Sequence, residues 1–404
     1  MSEAAPVNPY QRLFALTQRA ATLTPRVGAR MITKSSGQEF SIVDGATVAS
    51  AFASSLAHLA RHPGAIAGFY QSVAMQSMTA VWAFASRENR SAADRRINED
   101  AWDTSPVPRN AKEAHVALER ATEHLLSTLP EGSREHLRTK FYTRQMLSAL
   151  SPSNSAALNP SALKKALVSG GASLLDGFEN LLDDLERGDG RLDLSNTDRE
   201  AFDVGKDLAT TPGKVVYQND LMQLIQYEPM TKTQNRRPML FVPAWINKYY
   251  ILDMRPDNSL VRYLVERGHT VFVISWVNPT EEHADKSFED YMTDGPLAAL
   301  DAIEQATGER DVNVLGFCIG GILVTATLAW LAAKGDNRIK SATTLASMID
   351  FTHVGEIGVF IDKNRVCALE AHMEKTGYLE NYHLQDMFSM LRENDLVWSA
   401  HVET

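Results

Sequence analysis

Apolar residues recur at three- and four-residue spacing through the first half of the chain, then give way, beyond about residue 212, to short unbroken apolar runs separated by amphipathic stretches. The first pattern is that of helices with one buried stripe, and the second that of buried strands alternating with helices. It predicts helices over 46–61, 65–85, 111–126, 132–150 and 160–185, with His62-Pro63-Gly64 and Ser151-Pro152-Ser153-Asn154 as breaks. Strands 214–217 and 221–227 form a hairpin around Gln218-Asn219-Asp220, and 239–242, 270–275, 312–315 and 339–346 are further strands. Helices over 259–267, 288–305 and 320–333 fall between them. The stretch 65–85 carries Ile66, Tyr70, Val73, Ala74, Met78, Val81 and Phe84 as one stripe, interrupted by Ser77, and that stripe needs a partner. Packing against neighbouring helices is the first expectation for it, with an external apolar surface as the second.

Strand and helix in strict alternation imply a mostly parallel sheet covered on both faces, whose chemistry lies at the carboxyl ends of the strands. The predicted organisation is a variable helical arm (1–92), a helical N-terminal domain (93–212) and an α/β catalytic domain (213–404) with a lid-like segment at about 351–398. No internal repeat is evident. Neither GxGxxG nor GxxxxGK[ST] occurs, so no dinucleotide or nucleoside-triphosphate cofactor is expected.

Composition narrows the class further. With 404 residues, 44% hydrophobic and 22% charged, the chain is an ordinary globular protein with enough apolar surface for a large core. A net charge of −10 argues against nucleic acid as the main partner. The two cysteines, Cys318 and Cys367, lie outside any CxxC or Cys/His cluster, which points to a reducing compartment and no structural zinc. Cys367 reads as an ordinary helix position. The N-terminus, Met1-Ser2-Glu3-Ala4-Ala5-Pro6, has no basic patch followed by an apolar core, so a cytoplasmic protein is expected. The most apolar stretch, 65–85, is broken by Gln71, Gln76 and serines, and no membrane span is expected there.

Cys318 sits in Val312-Asn313-Val314-Leu315-Gly316-Phe317-Cys318-Ile319-Gly320-Gly321-Ile322-Leu323-Val324, an apolar strand, a sharp glycine-flanked turn and an apolar helix. Such a nucleophile elbow forces strand and helix to pass closely, so the positions two residues either side of the nucleophile must be small, and Gly316 and Gly320 are. With 23 glycines in 404 residues, chance would flank a cysteine in this way in less than about one chain in a hundred. The turn lifts the thiol above the sheet, facing the unpaired amides at the head of the next helix, a setting that favours thiolates in general. The amide of Ile319 is then an oxyanion donor. A thiolate also suits a thioester substrate, because one C–S bond is exchanged for another and the acyl group stays activated.

Three segments carry a resemblance: Phe241-Val242-Pro243-Ala244-Trp245-Ile246-Asn247-Lys248-Tyr249-Tyr250-Ile251-Leu252-Asp253, Ser275-Trp276-Val277-Asn278-Pro279 and the elbow itself. With Asp94-Arg95-Arg96, Trp102, Ser151-Pro152, Asn159-Pro160, Leu224-Ile225-Gln226-Tyr227 and Asn394-Asp395-Leu396-Val397-Trp398, they resemble polyhydroxyalkanoate synthases over roughly residues 92–398. The long N-terminal region resembles the single-subunit, short-chain (class I) type. The resemblance implies an α/β-hydrolase-like fold and acylation of Cys318 by 3-hydroxyacyl-CoA. The hydroxyl of one acyl unit would then attack another held as a thioester, lengthening a polyester and releasing CoA. It also implies no cofactor, a homodimer in the complete protein, and a location at polymer granules with phasin-type proteins as possible partners. The loop after strand 239–242 would give the second oxyanion amide, at Ile246, with Trp245 and Asn247 on the substrate side. Ala244 stands where the family usually repeats proline, which predicts a looser loop and unchanged chemistry.

In such a fold the acid and the histidine follow the nucleophile on later loops. Beyond strand 339–346 the sequence offers His353, which follows a strand end near the active-site edge but sits where the acid-bearing loop is not expected, and then His372, His383 and His401 in the lid-like segment, read as surface histidines rather than bases. Asp253, Asp301 and Asp350 read as structural carboxylates. The expectation is therefore a synthase fragment lacking the catalytic aspartate and histidine and inactive, or nearly so, alone. Two other readings of the elbow stay open: a cysteine-type esterase or thioesterase that passes the acyl group to water, and a non-catalytic granule-binding or dimerising module.

Overall fold

A computed structural model describes residues 8–35, 45–61, 94–130, 132–194, 198 and 200–398, with isolated positions between 64 and 75. Apart from Ala74, the apolar stripe expected on helix 65–85 lies outside the described residues, as does His401. The chain forms two compact units, one made of 1–197, 355–372 and 379–404, the other of 198–354 and 373–378.

The first unit is helical. It opens with α1 (Pro9–Ser35) and α2 (Gly45–Arg61), followed by α3 (Pro106–Leu126), α4 (Arg134–Ala149), α5 (Pro160–Val168) and α6 (Ala172–Arg187). Helix α1 was not expected from the sequence. Its Leu16 and Leu23 are buried with Leu182 of α6, and Arg12, Arg19 and Arg26 at heptad spacing pair with Asp176, Glu179, Asp183, Glu186 and Asp189. The two helices thus run in the same direction with a leucine seam edged by ion pairs. The single helix expected over 160–185 is two, because Gly170 and Gly171 take φ of +59° and +89°, which no helix contains.

The motif residues of the resemblance meet in one buried network. The Asp94 carboxylate accepts hydrogen bonds from Arg96 Nε at 3.0 Å, Arg96 Nη2 at 2.9 Å, Ser151 Oγ at 2.6 Å and Ser153 Oγ at 2.9 Å. Arg96 also donates to Asn154 and, 298 positions away, to Asn394, while Trp102 Nε1 donates to the Arg96 carbonyl. Burial pushes the Asp94 carboxyl up, but hydrogen bonds from Arg96 and Ser151 outweigh it and hold the group below its ordinary value. These residues are a structural knot of the helical unit.

The second unit is built on a six-stranded sheet. Strands β1 (Gly213–Gln218) and β2 (Met222–Tyr227) form the expected hairpin, whose turn Asn219 closes by accepting from the amides of Leu221 and Met222. Then come β3 (Met239–Val242), a small ribbon of β4 (Asp253–Arg255) and β5 (Asn258–Ser259), α7 (Leu260–Val265), β6 (Val271–Trp276), α8 (Phe288–Met292), α9 (Ala298–Thr307), β7 (Val312–Phe317), α10 (Ile319–Ala333) and β8 (Ile339–Leu345). The sheet order is β1-β2-β6-β3-β7-β8, with β6, β3, β7 and β8 parallel and the hairpin antiparallel. Alternate residues separate to the two faces: Leu240, Phe272, Ile274 and Val314 pack under α8, α9 and α10, while Phe241, Val271, Val273 and Leu315 pack against α7. Among the described residues no further strand pairs with β8, and Ser341, Ala342, Thr343 and Thr344 are exposed.

The helix expected over 288–305 is broken at Gly295-Pro296. A Cβ at Gly295 would lie 2.4 Å from Trp276 Cη2, so the indole occupies the space that a side chain would need. Most of α11 (Lys363–Thr376) and all of α12 (Asn381–Leu391) belong to the helical unit, where Val359, Phe360, Met387 and Met390 pack with Ala51, Phe141 and Tyr142. Among the described residues no helix is long and apolar enough to cross a membrane.

Candidate active site

Cys318 stands between β7 and α10 with φ 56° and ψ −123°, a left-handed φ that a non-glycine residue adopts only where its surroundings impose it. Three hydrogen bonds impose it here. The Cys318 amide donates to the Leu345 carbonyl of β8 at 2.9 Å, and the Cys318 carbonyl accepts from the Gly321 amide and from Ser347 Oγ, both at 2.9 Å. Cys318 is left partly exposed. Among the described residues, nothing accepts a hydrogen bond from the Ile319 amide, the first of the helix, which is the orphan donor that an elbow leaves facing the nucleophile.

The flanking glycines have measurable reasons. A Cβ on Gly316 would lie 2.5 Å from Gly321 Cα, and one on Gly320 would lie 2.0 Å from the Val242 carbonyl oxygen and 2.8 Å from the Pro243 carbonyl carbon. Gly321, which the flanking rule does not name, is as constrained: its Cβ would fall 1.9 Å from Ser347 Oγ. The loop after β3 therefore starts against the head of α10. Trp276 Nε1 fixes it by donating to the Pro243 carbonyl at 2.8 Å.

Beyond that point, Ala244 is buried and Asn247 closes a turn by donating its amide to the Ala244 carbonyl at 3.1 Å. Ile246 lies within this turn with its side chain exposed, and Asn247 Oδ1 accepts from the Lys248 amide. Lys248 Nζ reaches Asn278 Oδ1 at 3.3 Å, a second tie between the loops after β3 and β6. Trp245 meets Trp276, Phe288 and Tyr291 with centroid distances of 6.3, 6.2 and 5.0 Å, an aromatic wall beside the carboxyl end of β6. Burial pushes the Tyr291 hydroxyl above its ordinary value, so it stays protonated. A cleft of about 670 Å³ opens beside Ser275, Asn278, His283 and Lys286. Trp276 lines it as well, whereas Cys318 and Trp245 do not.

The carboxylates read as structural have structural partners. Asp253 is buried and accepts from Thr211 and Ser259, Asp301 pairs with Arg338, and Asp350 accepts from the amide and hydroxyl of Thr352. His353 is exposed, and among the described residues no histidine or carboxylate is hydrogen-bonded to the Cys318 thiol. Cys367 is exposed on α11. One expectation is corrected: His383 is a buried residue, not a surface one, and it shares Glu380 with His372. Ser347, Gly321 and Trp276 were not singled out as site residues. Ser347 and Trp276 carry no local signal, since adjacent strands bring them in, whereas Gly321 lies three residues beyond Cys318 in the head of the same helix.

A family profile described as the N-terminus of poly-beta-hydroxybutyrate polymerase (PhaC) matches residues 93–264, and an alpha/beta hydrolase fold profile matches 237–365. A poly(3-hydroxyalkanoate) polymerase of Methylorubrum extorquens is 48% identical over 336 residues, 80% of this chain and 55% of the relative. The poly(3-hydroxyalkanoate) polymerase subunit PhaC of Cupriavidus necator is 39% identical over 339 residues, 81% of this chain and 57% of the relative. The chain thus spans about half the length of the curated relatives it matches. Among solved structures, an esterase B from Lactobacillus rhamnosis is a distant likeness, 13% identical with a TM-score of 0.28 over 58% of this chain and 81% of that one.

Proposed function

The chain belongs to the poly(3-hydroxyalkanoate) polymerase family, and from that premise we propose that Cys318 is the residue on which 3-hydroxyacyl groups are carried. The observation behind the reading is the elbow: a left-handed Cys318, partly exposed, ahead of an unpaired Ile319 amide. The sulfur attacks the thioester carbon of 3-hydroxyacyl-CoA, the carbonyl oxygen gathers negative charge, and the Ile319 amide stabilises it. The Ile246 amide is the second donor, on a loop whose first residues lie against Gly320. As the tetrahedral centre collapses, the C–S bond to CoA breaks and CoA leaves as its thiolate. A 3-hydroxyl group then attacks an acyl thioester, forming the ester bond and expelling a thiolate, while its proton passes to a base. In this reading the base and its orienting acid come from the part of the family's length that this chain does not span, and the 404 residues alone accept an acyl group slowly without making polymer. Loss of a triad base typically costs several orders of magnitude in rate. A cytoplasmic protein at the surface of polymer granules, working as a homodimer in its complete form and without a cofactor, accompanies the reading.

The test is incubation of the full chain with 3-hydroxybutyryl-CoA at alkaline pH, where thiols ionise without a base, followed by peptide mass spectrometry. A 3-hydroxybutyryl adduct on Cys318, absent from Cys318→Ala, is expected. An adduct on exposed Cys367 alone, or none on either cysteine, overturns the assignment of the nucleophile. Sustained polymer formation by these 404 residues overturns the assignment of the base, and rapid release of free 3-hydroxybutyrate favours transfer to water.

A further inference from the structure

Two histidines and a carboxylate converge in the helical unit, with no part in the chemistry described above. His372 lies on α11, Glu380 is the residue that caps the start of α12, and His383 is in the first turn of α12. The Glu380 Oε2 atom is 2.7 Å from His372 Nε2 and 3.7 Å from His383 Nε2, and one ligand atom from each residue lies within 4.8 Å of the other two. His383 is 2% exposed, against 16% and 25% for the side chains of His372 and Glu380. The group therefore has a buried side and a side open to solvent.

The ring positions are fixed by packing. The two imidazoles meet edge to face at 5.1 Å and 84°, and the Tyr382 ring lies 4.0 Å from His383. Arg191 lies over the Tyr382 ring, with its guanidinium carbon 4.5 Å from the ring centroid. Such support limits how far either histidine can turn away from Glu380.

We infer that His372, Glu380 and His383 form a binding site for a divalent transition-metal ion of the zinc class. Two neutral imidazoles and one carboxylate are a donor set that suits zinc and disfavours magnesium and calcium, which take oxygen ligands. Zinc bonds of 2.0–2.2 Å at tetrahedral angles set ligand atoms roughly 3.3–3.5 Å apart. Bringing the two Glu380 contacts to that spacing takes movements of less than about 1 Å, and drawing the histidine nitrogens together from within 4.8 Å takes at most about 1.5 Å, both through side-chain rotation. Three protein ligands leave a fourth position on the solvent side. Because the ligands come from the last part of α11 and the first turn of α12, the ion staples the two helices across the turn at Gly377.

Binding is read at equilibrium, without any need for turnover. The full chain, stripped with a chelator, is titrated with zinc against a chromophoric indicator and separately with cobalt, whose visible ligand-field absorption reports four-coordination. One equivalent of zinc, a tetrahedral cobalt spectrum and a rise in thermal midpoint with zinc are expected. His372→Gln and Glu380→Gln, which keep size and are only partly buried, should each weaken zinc binding by at least about tenfold. His383→Ala should do the same; if it fails to fold, the other two variants decide. Sub-stoichiometric or absent binding by the parent chain, an octahedral cobalt spectrum, or equal affinity in the two glutamine variants overturns the proposal.

Discussion

Gly320→Ala is the most exacting test of the elbow's geometry. The added carbon would sit 2.0 Å from the Val242 carbonyl oxygen and 2.8 Å from both the carbonyl carbon and oxygen of Pro243. Ordinary contact needs more than about 3.2 Å, so strand end and helix head must part by roughly 1 Å, and neither neighbour is a flexible side chain that could swing aside. Overpacking of this kind costs about 3 kcal/mol. In a unit of about 160 residues this is a fall of roughly 6–12 °C in the thermal midpoint. Gly335→Ala is the control. Its φ of +71° strains any side chain, yet nothing lies within 4 Å of the new carbon, so left-handed strain of about 1 kcal/mol is its whole cost. Thermal melts of parent and both variants, followed by near-ultraviolet circular dichroism, separate the two effects. If Gly320→Ala melts with the parent, or Gly335→Ala falls further than Gly320→Ala, the close approach of α10 to β3 is not what demands glycine.

Other outcomes follow from the same contacts. Ser347→Ala removes one of two hydrogen bonds to the Cys318 carbonyl and should cost about 1 kcal/mol, measured as a fall of a few degrees in the melt; an unchanged midpoint means that the Gly321 amide alone holds the turn. Trp276→Phe empties the space against Gly295 and frees the Pro243 carbonyl, so Gly295→Ala should cost about 1–3 kcal/mol less in that background than in the parent; additive losses in a double-mutant cycle would refute the contact. Asp94→Asn leaves the Arg96 guanidinium without its charge partner, at a cost of about 3–5 kcal/mol near neutral pH. The folded Asp94 carboxyl lies below its unfolded value, so its contribution is complete above about pH 3.9 and is lost as pH falls through the folded value. The gap between parent and Asp94→Asn in urea melts should therefore close at acid pH, and a gap that persists or widens there would contradict the network.

Much of the fold was legible because its signals are local. The change from helical to strand periodicity after residue 212 placed the sheet, since each strand carries its own apolar run, and β3 fell on 239–242 as expected. The misplaced helices have equally physical causes. Apolar spacing runs unbroken across 160–185 and 288–305, but Gly170-Gly171 turns left-handed and the Trp276 ring occupies the space at Gly295. Helix α1 escaped notice because its stripe is narrow, with the rest of its stabilisation supplied by arginines whose acidic partners lie more than 160 positions away.

By itself the sequence determined the elbow, since a sharp strand-to-helix bend excludes side chains at fixed neighbouring positions, and Gly316 and Gly320 record that exclusion within five residues of chain. Only the tertiary structure decided what holds the bend and what surrounds it. Ser347 reaches the Cys318 carbonyl through a neighbouring strand, Trp276 pins the Pro243 loop across the sheet, and Asn394 joins Asp94 and Arg96 from 298 positions away. The burial of His383 beside Glu380 and His372 is of the same kind. Backbone exclusion is a short-range effect that leaves a pattern in adjacent residues, whereas hydrogen bonds and packing depend on which distant segments folding brings within about 4 Å.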